Sequence, residues 1–181
     1  MNRAGIVTVV VMAAVIAVAL LYILLRDESA LQKHNETPAA TALLPESEAD
    51  AFTTLAGEPV SVADNFGEVI VVSSWASWCP QCSTDFPKIG EVASEFKDRG
   101  VVVYAVNRGE DKYSAERYLA TVEKPEHLNF ILDQSDFYFK NSAGYAMPET
   151  TVYNKKGEVV LQQRGELNLE ELKNTLKELV Q

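Results

Sequence analysis

The chain has 181 residues with 16 Lys and Arg against 26 Asp and Glu, a formal net charge of −10. That balance argues against nucleic acid or anionic lipid headgroups as partners, which need basic surfaces. A structural zinc site needs about four Cys or His ligands, and of the two Cys and two His here His34 lies in a polar, proline-bearing stretch that reads as a linker; an iron–sulfur cluster needs four cysteines, so no metal or other cofactor is expected.

Residues 6–25 contain no charge. Twenty apolar residues at the helical rise span a bilayer's hydrocarbon core, whereas a cleaved signal peptide carries an apolar region of about 7–15 residues. We therefore read 1–26 as an N-terminal membrane anchor, one uncleaved transmembrane helix. The cations that set orientation are nearly balanced, Arg3 and the terminal amine against Arg26 and Lys33. The very short N-terminal tail fits a signal anchor with the large domain exported. Residues 27–50 are polar, carry Pro38 and Pro45 and lack a sustained apolar period, so they read as a flexible linker. Beyond residue 26, 14 basic residues stand against 26 acidic ones, a net charge of −12.

Residues 51–181, roughly 130 in all, are the size of one ordinary domain. An edge hairpin is expected over 52–62 with Gly57, Glu58 and Pro59 at its turn. A nearly continuous apolar run at 69–74 predicts a strand buried on both faces. Cys79 and Cys82 follow, two residues apart, and then a helix over 85–96 with Phe86, Ile89, Val92, Ala93 and Phe96 at helical spacing and a kink at Pro87. A second buried strand is expected at 101–106, a helix at 114–122 capped by Ser114, a short strand at 129–132 and a brief helix at 136–141. Residues 150–153 and 159–163 form a hairpin about residues 154–157, and 169–179 closes the chain as an amphipathic helix. Alternating strands and helices imply an α/β fold, a central mixed sheet with parallel members flanked by helices.

Strand, tight turn, paired thiols, helix is the arrangement of a dithiol redox site. A helix N-terminus stabilises a thiolate, so Cys79 is expected to be acidified and exposed, with Cys82 one turn further in and able to close a disulfide. Haem attachment requires His directly after the second cysteine, and Ser83 stands there. A purely structural disulfide would close a very short loop and constrain the unfolded chain little.

Four stretches carry a family resemblance: WASWCPQC at 75–82, STDFP at 83–87, GYAMPET at 144–150 and GELN at 165–168. With them the chain from about Phe52 onward resembles the membrane-anchored, thioredoxin-like thiol–disulfide oxidoreductases of the TlpA, ResA and DsbE (cytochrome c maturation) branch. The resemblance implies a thioredoxin-like fold. It makes Cys79 the nucleophile, Cys82 the resolving thiol and Pro148 a cis-proline facing the disulfide. Trp78 would be a contact surface, and Met147 would present its backbone to an extended substrate. Asp85 and Glu149 would be carboxylates that tune thiol acidity, and the pair Pro80 and Gln81 would influence redox poise. It also implies an enzyme at the bacterial cytoplasmic membrane, single pass, with its catalytic domain on the outer side. Its substrate would be an exported cysteine-containing protein such as apocytochrome c, reset by a membrane thiol–disulfide electron donor.

The chain departs from cytosolic thioredoxins, which resemble it but keep a buried Asp where Ser73 stands, so proton transfer falls to Asp85, Glu149 or water. Three other readings stay open. A peroxiredoxin-like peroxidase shares the fold, although Cys79 follows a tryptophan-rich strand end and not the threonine-bearing loop expected of that type. The same exchange run backwards gives a disulfide-forming oxidase of exported proteins, although no stretch matches the inserted helical domain of the DsbA type. A non-enzymatic copper-binding module of the same fold would need a distal histidine, and only His127 is available.

Overall fold

The computed structural model describes residues 52–142 and 144–181, together with Met12, Ala13, Ile16 and Tyr22. The expected anchor and linker otherwise lie outside the described residues. The four N-terminal positions are helical and exposed, and no helix among the described residues is long and apolar enough to cross a membrane. The chain divides into two compact units, Met1–Thr37 and Pro38–Gln181, a division that falls inside the stretch read as a linker.

In the second unit, strands β1 (Phe52–Thr54) and β2 (Pro59–Val60) form the edge hairpin, with Phe52 opposite Val60. Gly57 takes φ +91° at the turn, a conformation that favours glycine. One turn of 3-10 helix at Val62–Asn65 follows, which the sequence pattern did not suggest. Strand β3 (Val69–Trp75) is buried along its whole length. It runs parallel to β4 (Val101–Arg108) on one side and antiparallel to β6 (Glu149–Tyr153) on the other. Strand β5 (Asn129–Asp133) extends the parallel part, and β7 (Val159–Arg164) pairs with β6 at the far edge. The sheet order is β2-β1-β5-β4-β3-β6-β7.

Both faces of the sheet are covered, as alternate residues of β3 report. Val69, Val71 and Trp75 join Phe86, Ile89 and Leu172 in one core, while Ile70 and Val72 join Phe52, Tyr138 and Tyr153 in the other. Helix α1 (Cys82–Phe96) and helix α4 (Leu169–Leu179) supply the first of these cores. Helix α1 starts three residues before the expected position. The Cys82 amide already donates to the Cys79 carbonyl at 3.2 Å, so the turn carrying the thiols winds directly into the helix. Pro87 lies inside α1 without ending it. Helix α2 (Lys112–Leu119) is capped not by Ser114 but by Asp111, whose Oδ1 accepts the Ser114 amide at 3.0 Å. A carboxylate three residues ahead of that amide is the better acceptor, and the Ser114 hydroxyl turns back to donate to it. Helix α3 (Phe137–Asn141) is held by buried Asp133, which accepts the Phe137 and Tyr138 amides at 2.9 and 2.8 Å. Burial pushes the Asp133 carboxyl above its ordinary range despite those bonds.

Candidate functional site: a dithiol at the end of a parallel strand

Sites in α/β sheets gather beyond the carboxyl ends of parallel strands. Here β3 ends at Trp75, and that residue anchors everything after it. Its indole is 1% exposed, stacks on Tyr118 at 5.8 Å, meets Phe86 and Phe130 edge-on, and donates Nε1–H to the Ala105 carbonyl at 3.2 Å. The chain then turns once. The Cys79 amide donates to the Ala76 carbonyl at 3.1 Å, which leaves Ser77 and Trp78 at the corner.

Cys79 and Cys82 form a disulfide with Cα atoms 5.5 Å apart. Contrary to the expected exposure, Cys79 is only 4% exposed and Cys82 1%. Both sulfurs belong to the core cluster around Trp75 and Phe86, and Met147 packs against that cluster from the loop before β6. Cys82 Sγ lies 4.0 Å from the Ser74 carbonyl oxygen, inside the end of β3. The exposed residue of the turn is Trp78, at 58%. Pro80 and Gln81 are exposed as well, Gln81 donating to Thr84 Oγ1 at 2.7 Å.

The peptide bond between Met147 and Pro148 is cis. Pro148 is buried, and its carbonyl accepts the Gly165 amide at 2.9 Å. The β3–β6 register then sets Glu149 opposite Ser74, so the Met147–Glu149 segment meets the strand end whose carbonyl touches Cys82.

Neither carboxylate singled out from the sequence is a solvated surface charge. Asp85, three residues after Cys82 on α1, is 3% exposed and pairs with Lys88 Nζ at 3.0 Å. That hydrogen bond to Asp85 holds the Lys88 ammonium above its usual range. Glu149 is 1% exposed and accepts from Gln162 Nε2 at 3.0 Å and Arg164 Nε at 3.2 Å. Ser73, in the place of the thioredoxin Asp, is buried and accepts a long bond from Thr150 Oγ1 at 3.3 Å.

Sequence reading missed the cations and one carboxylate around the dithiol. The Arg108 guanidinium lies over the Phe139 ring at 3.2 Å, faces the Trp78 ring at 5.9 Å and pairs with Asp136 at 2.9 Å. Arg164 covers the exposed ring of Tyr145 at 4.3 Å. Glu110 bonds the corner of the turn. Only a charge at or just past the end of a strand signals such residues, and that pattern is shared by every solvated strand end. His127 lies elsewhere. It approaches Lys97, just past the end of α1, at 3.4 Å. Fifteen residues of helix, about 22 Å at the α-helical rise, separate it from the cysteines. Among the described residues no group of three or more His, Cys, Asp or Glu is placed to hold a metal ion.

Comparison with known proteins agrees with this geometry. The Redoxin family model matches residues 32–179. The thiol–disulfide oxidoreductase ResA of Bacillus thuringiensis subsp. konkukian is 24% identical over 129 residues, 70% of this chain and 72% of the relative. The thiol:disulfide interchange protein DsbE of Pseudomonas fluorescens biotype C is 33% identical over 95 residues, about half of each chain at 52% and 51%. Among solved structures, a thiol:disulfide interchange protein DsbE from Chlorobium tepidum superposes with a TM-score of 0.66 at 26% identity, covering 72% of this chain and 92% of that one. The chain belongs to the Redoxin family and is a thiol–disulfide oxidoreductase of the ResA and DsbE type, built on a thioredoxin-like fold.

Proposed function

We propose that the protein is a membrane-tethered reductant of disulfides in exported cysteine-containing proteins, apocytochrome c among them, working through Cys79 and Cys82. The observation that carries this reading is the Cys79–Cys82 disulfide at the start of α1, nearly buried at both residues and preceded directly by the exposed Trp78. In the dithiol form, the Cys79 thiolate attacks one sulfur of a substrate disulfide. A mixed disulfide forms and one substrate thiolate leaves. Cys82 loses its proton and attacks Cys79 Sγ, which expels the second substrate thiolate and closes the Cys79–Cys82 disulfide. Two electrons pass to the substrate, whose two thiolates take up protons. A membrane thiol–disulfide donor returns two electrons to the pair.

Asp85 and Glu149 approach the site from α1 and from the segment after Pro148, near buried Cys82. A nearby carboxylate raises a thiol's pKa, so both favour a protonated Cys82 until the mixed disulfide has formed. Lys88 and Arg164 each offset part of that charge. Trp78 and the backbone of Met147 form the contact edge for an extended substrate segment.

The tether is residues 6–25, with the dithiol domain on the outer side of the bacterial cytoplasmic membrane and 27–50 as linker. The uncharged length of that stretch supports it. Trapping in cells with Cys82→Ala tests direction, substrate and place together. The reading expects mixed disulfides with exported cysteine proteins in the membrane fraction, and a wild-type protein that is mainly reduced at steady state. A soluble protein kept oxidised, whose trapped partners lose disulfides when it is deleted, would establish the oxidase instead.

A further inference from the structure

The parallel ladder between β3 and β4 pairs Trp75 with Asn107 and so carries the two strand exits side by side. Past Trp75 the chain makes the Ala76–Cys79 turn. Past Asn107 it reverses at Gly109, which takes φ +66° and donates its amide to the Asp133 carbonyl at 2.8 Å. That reversal brings the next side chain, Glu110, back across the turn. Its Oε2 accepts the Ser77 amide at 2.8 Å and Asn107 Nδ2 at 2.7 Å, and its Oε1 accepts the Ser77 hydroxyl. Asn107 is completely buried, so the carboxylate is itself held by a fixed donor.

Among the described residues the Ser77 amide has no other partner, and Ser77 sits at the corner whose closing bond is made by the Cys79 amide. Glu110 therefore ties the thiol-bearing turn to the end of β4 by hydrogen bonds. We propose that Glu110 is a positioning residue for the reaction: it fixes the Ala76–Cys79 turn so that Cys79 stays at the start of α1, where the helix terminus favours its thiolate. This rests on the reading of Cys79 as the attacking thiol. Charge and geometry pull in opposite directions at this site. The negative charge of Glu110 by itself disfavours a thiolate two residues from Ser77, while the turn it holds favours one.

The two can be separated because glutamine reproduces the hydrogen bonds. Its amide oxygen can accept from Ser77 N–H and Asn107, and its NH2 can donate to the Ser77 hydroxyl, which accepts after rotating. The experiment measures the rate of iodoacetamide alkylation of Cys79 in the reduced full-length chain at pH 7, by peptide mapping, beside the urea midpoint of each variant. Charge-assisted hydrogen bonds of this kind correspond to roughly tenfold or more, so Glu110→Ala should slow Cys79 by at least about tenfold. Glu110→Gln should alkylate at or above the wild-type rate. Ser77→Ala, which keeps the amide bond, should fall between them even if Glu110→Ala folds poorly. The same rate in all variants would overturn the proposal, as would equal slowing by Ala and Gln, because a role in stability alone moves the urea midpoint and not the thiol. Alkylation needs no disulfide substrate, so the result stands apart from whether the chain reduces exported proteins.

Discussion

Replacing Arg164 with Met should uncover how much the buried carboxylate beside the dithiol depends on one cation. Glu149 is 1% exposed and, among the described residues, draws on two side chains, Gln162 at 3.0 Å and Arg164 at 3.2 Å. Removing one partner of a fully buried ion pair costs about 3–5 kcal/mol. The Arg164 side chain is 29% exposed, so solvent takes part of that, and the charge-assisted bond is better set at about 1.5–3 kcal/mol. The contact with the Tyr145 ring is exposed and adds about 0.5 kcal/mol, while Met keeps the packing of the arginine stem. Arg164→Met should therefore lose about 2 kcal/mol in urea unfolding of the oxidised full-length protein at pH 7, followed by tryptophan fluorescence. Glu149→Gln should cost less by itself, because the arginine it frees can reach water. The double variant should be no more than about 0.5 kcal/mol below Arg164→Met, a coupling that a double-mutant cycle reads directly. Additive losses, or an Arg164→Met protein within 0.5 kcal/mol of wild type, would refute a buried charge that relies on this cation.

Three further outcomes follow from the packing. Gly90→Ala should destabilise by about 1–3 kcal/mol although alanine is the better helix former, because its Cβ would lie 2.1 Å from Pro125 Cβ; an unchanged urea midpoint would mean the 120s loop yields freely. Tyr138 and Tyr153 face each other in the core at 3.0 Å, and burial pushes both phenols up, Tyr138 to about 12. The native state keeps these protons while the unfolded chain releases its own near pH 10, so stability present below about pH 10 is lost as pH rises toward 12, by about 3 kcal/mol for Tyr138 alone; Tyr138→Phe should flatten that loss, and an identical alkaline slope would contradict it. Arg108→Ala removes the cation facing Trp78 and should raise the quenching of that exposed indole by acrylamide with little change in stability; unaltered quenching would mean Arg108 serves only Asp136 and Phe139.

The parts of the fold that repeat along the chain were legible in the sequence. The fully buried β3 and the helix Leu169–Leu179 follow from an apolar run and an apolar stripe. The elements that differed were decided by single side chains. Asp111 outcompeted Ser114 as a cap, and the thiol turn wound straight into α1, which advanced its start to Cys82. At the site, the cysteines, Pro148 and the two carboxylates could be named from local sequence. Their burial could not, because it depends on Met147 and on the pairing of β6 with β3, more than 70 residues apart. Glu110 was out of reach for the same reason: its role exists only once the β3–β4 register sets Asn107 beside Trp75.

The most direct measurement is the intact mass of two reduced single-cysteine variants after brief exposure to glutathione disulfide at pH 7. With Cys79 as the attacking thiol, Cys82→Ala should gain one glutathione on Cys79 rapidly, while Cys79→Ala, whose remaining sulfur lies in the core beside the Ser74 carbonyl, should stay largely unmodified. Faster addition to Cys82 in the Cys79→Ala variant, or no adduct on either, would contradict disulfide exchange through Cys79.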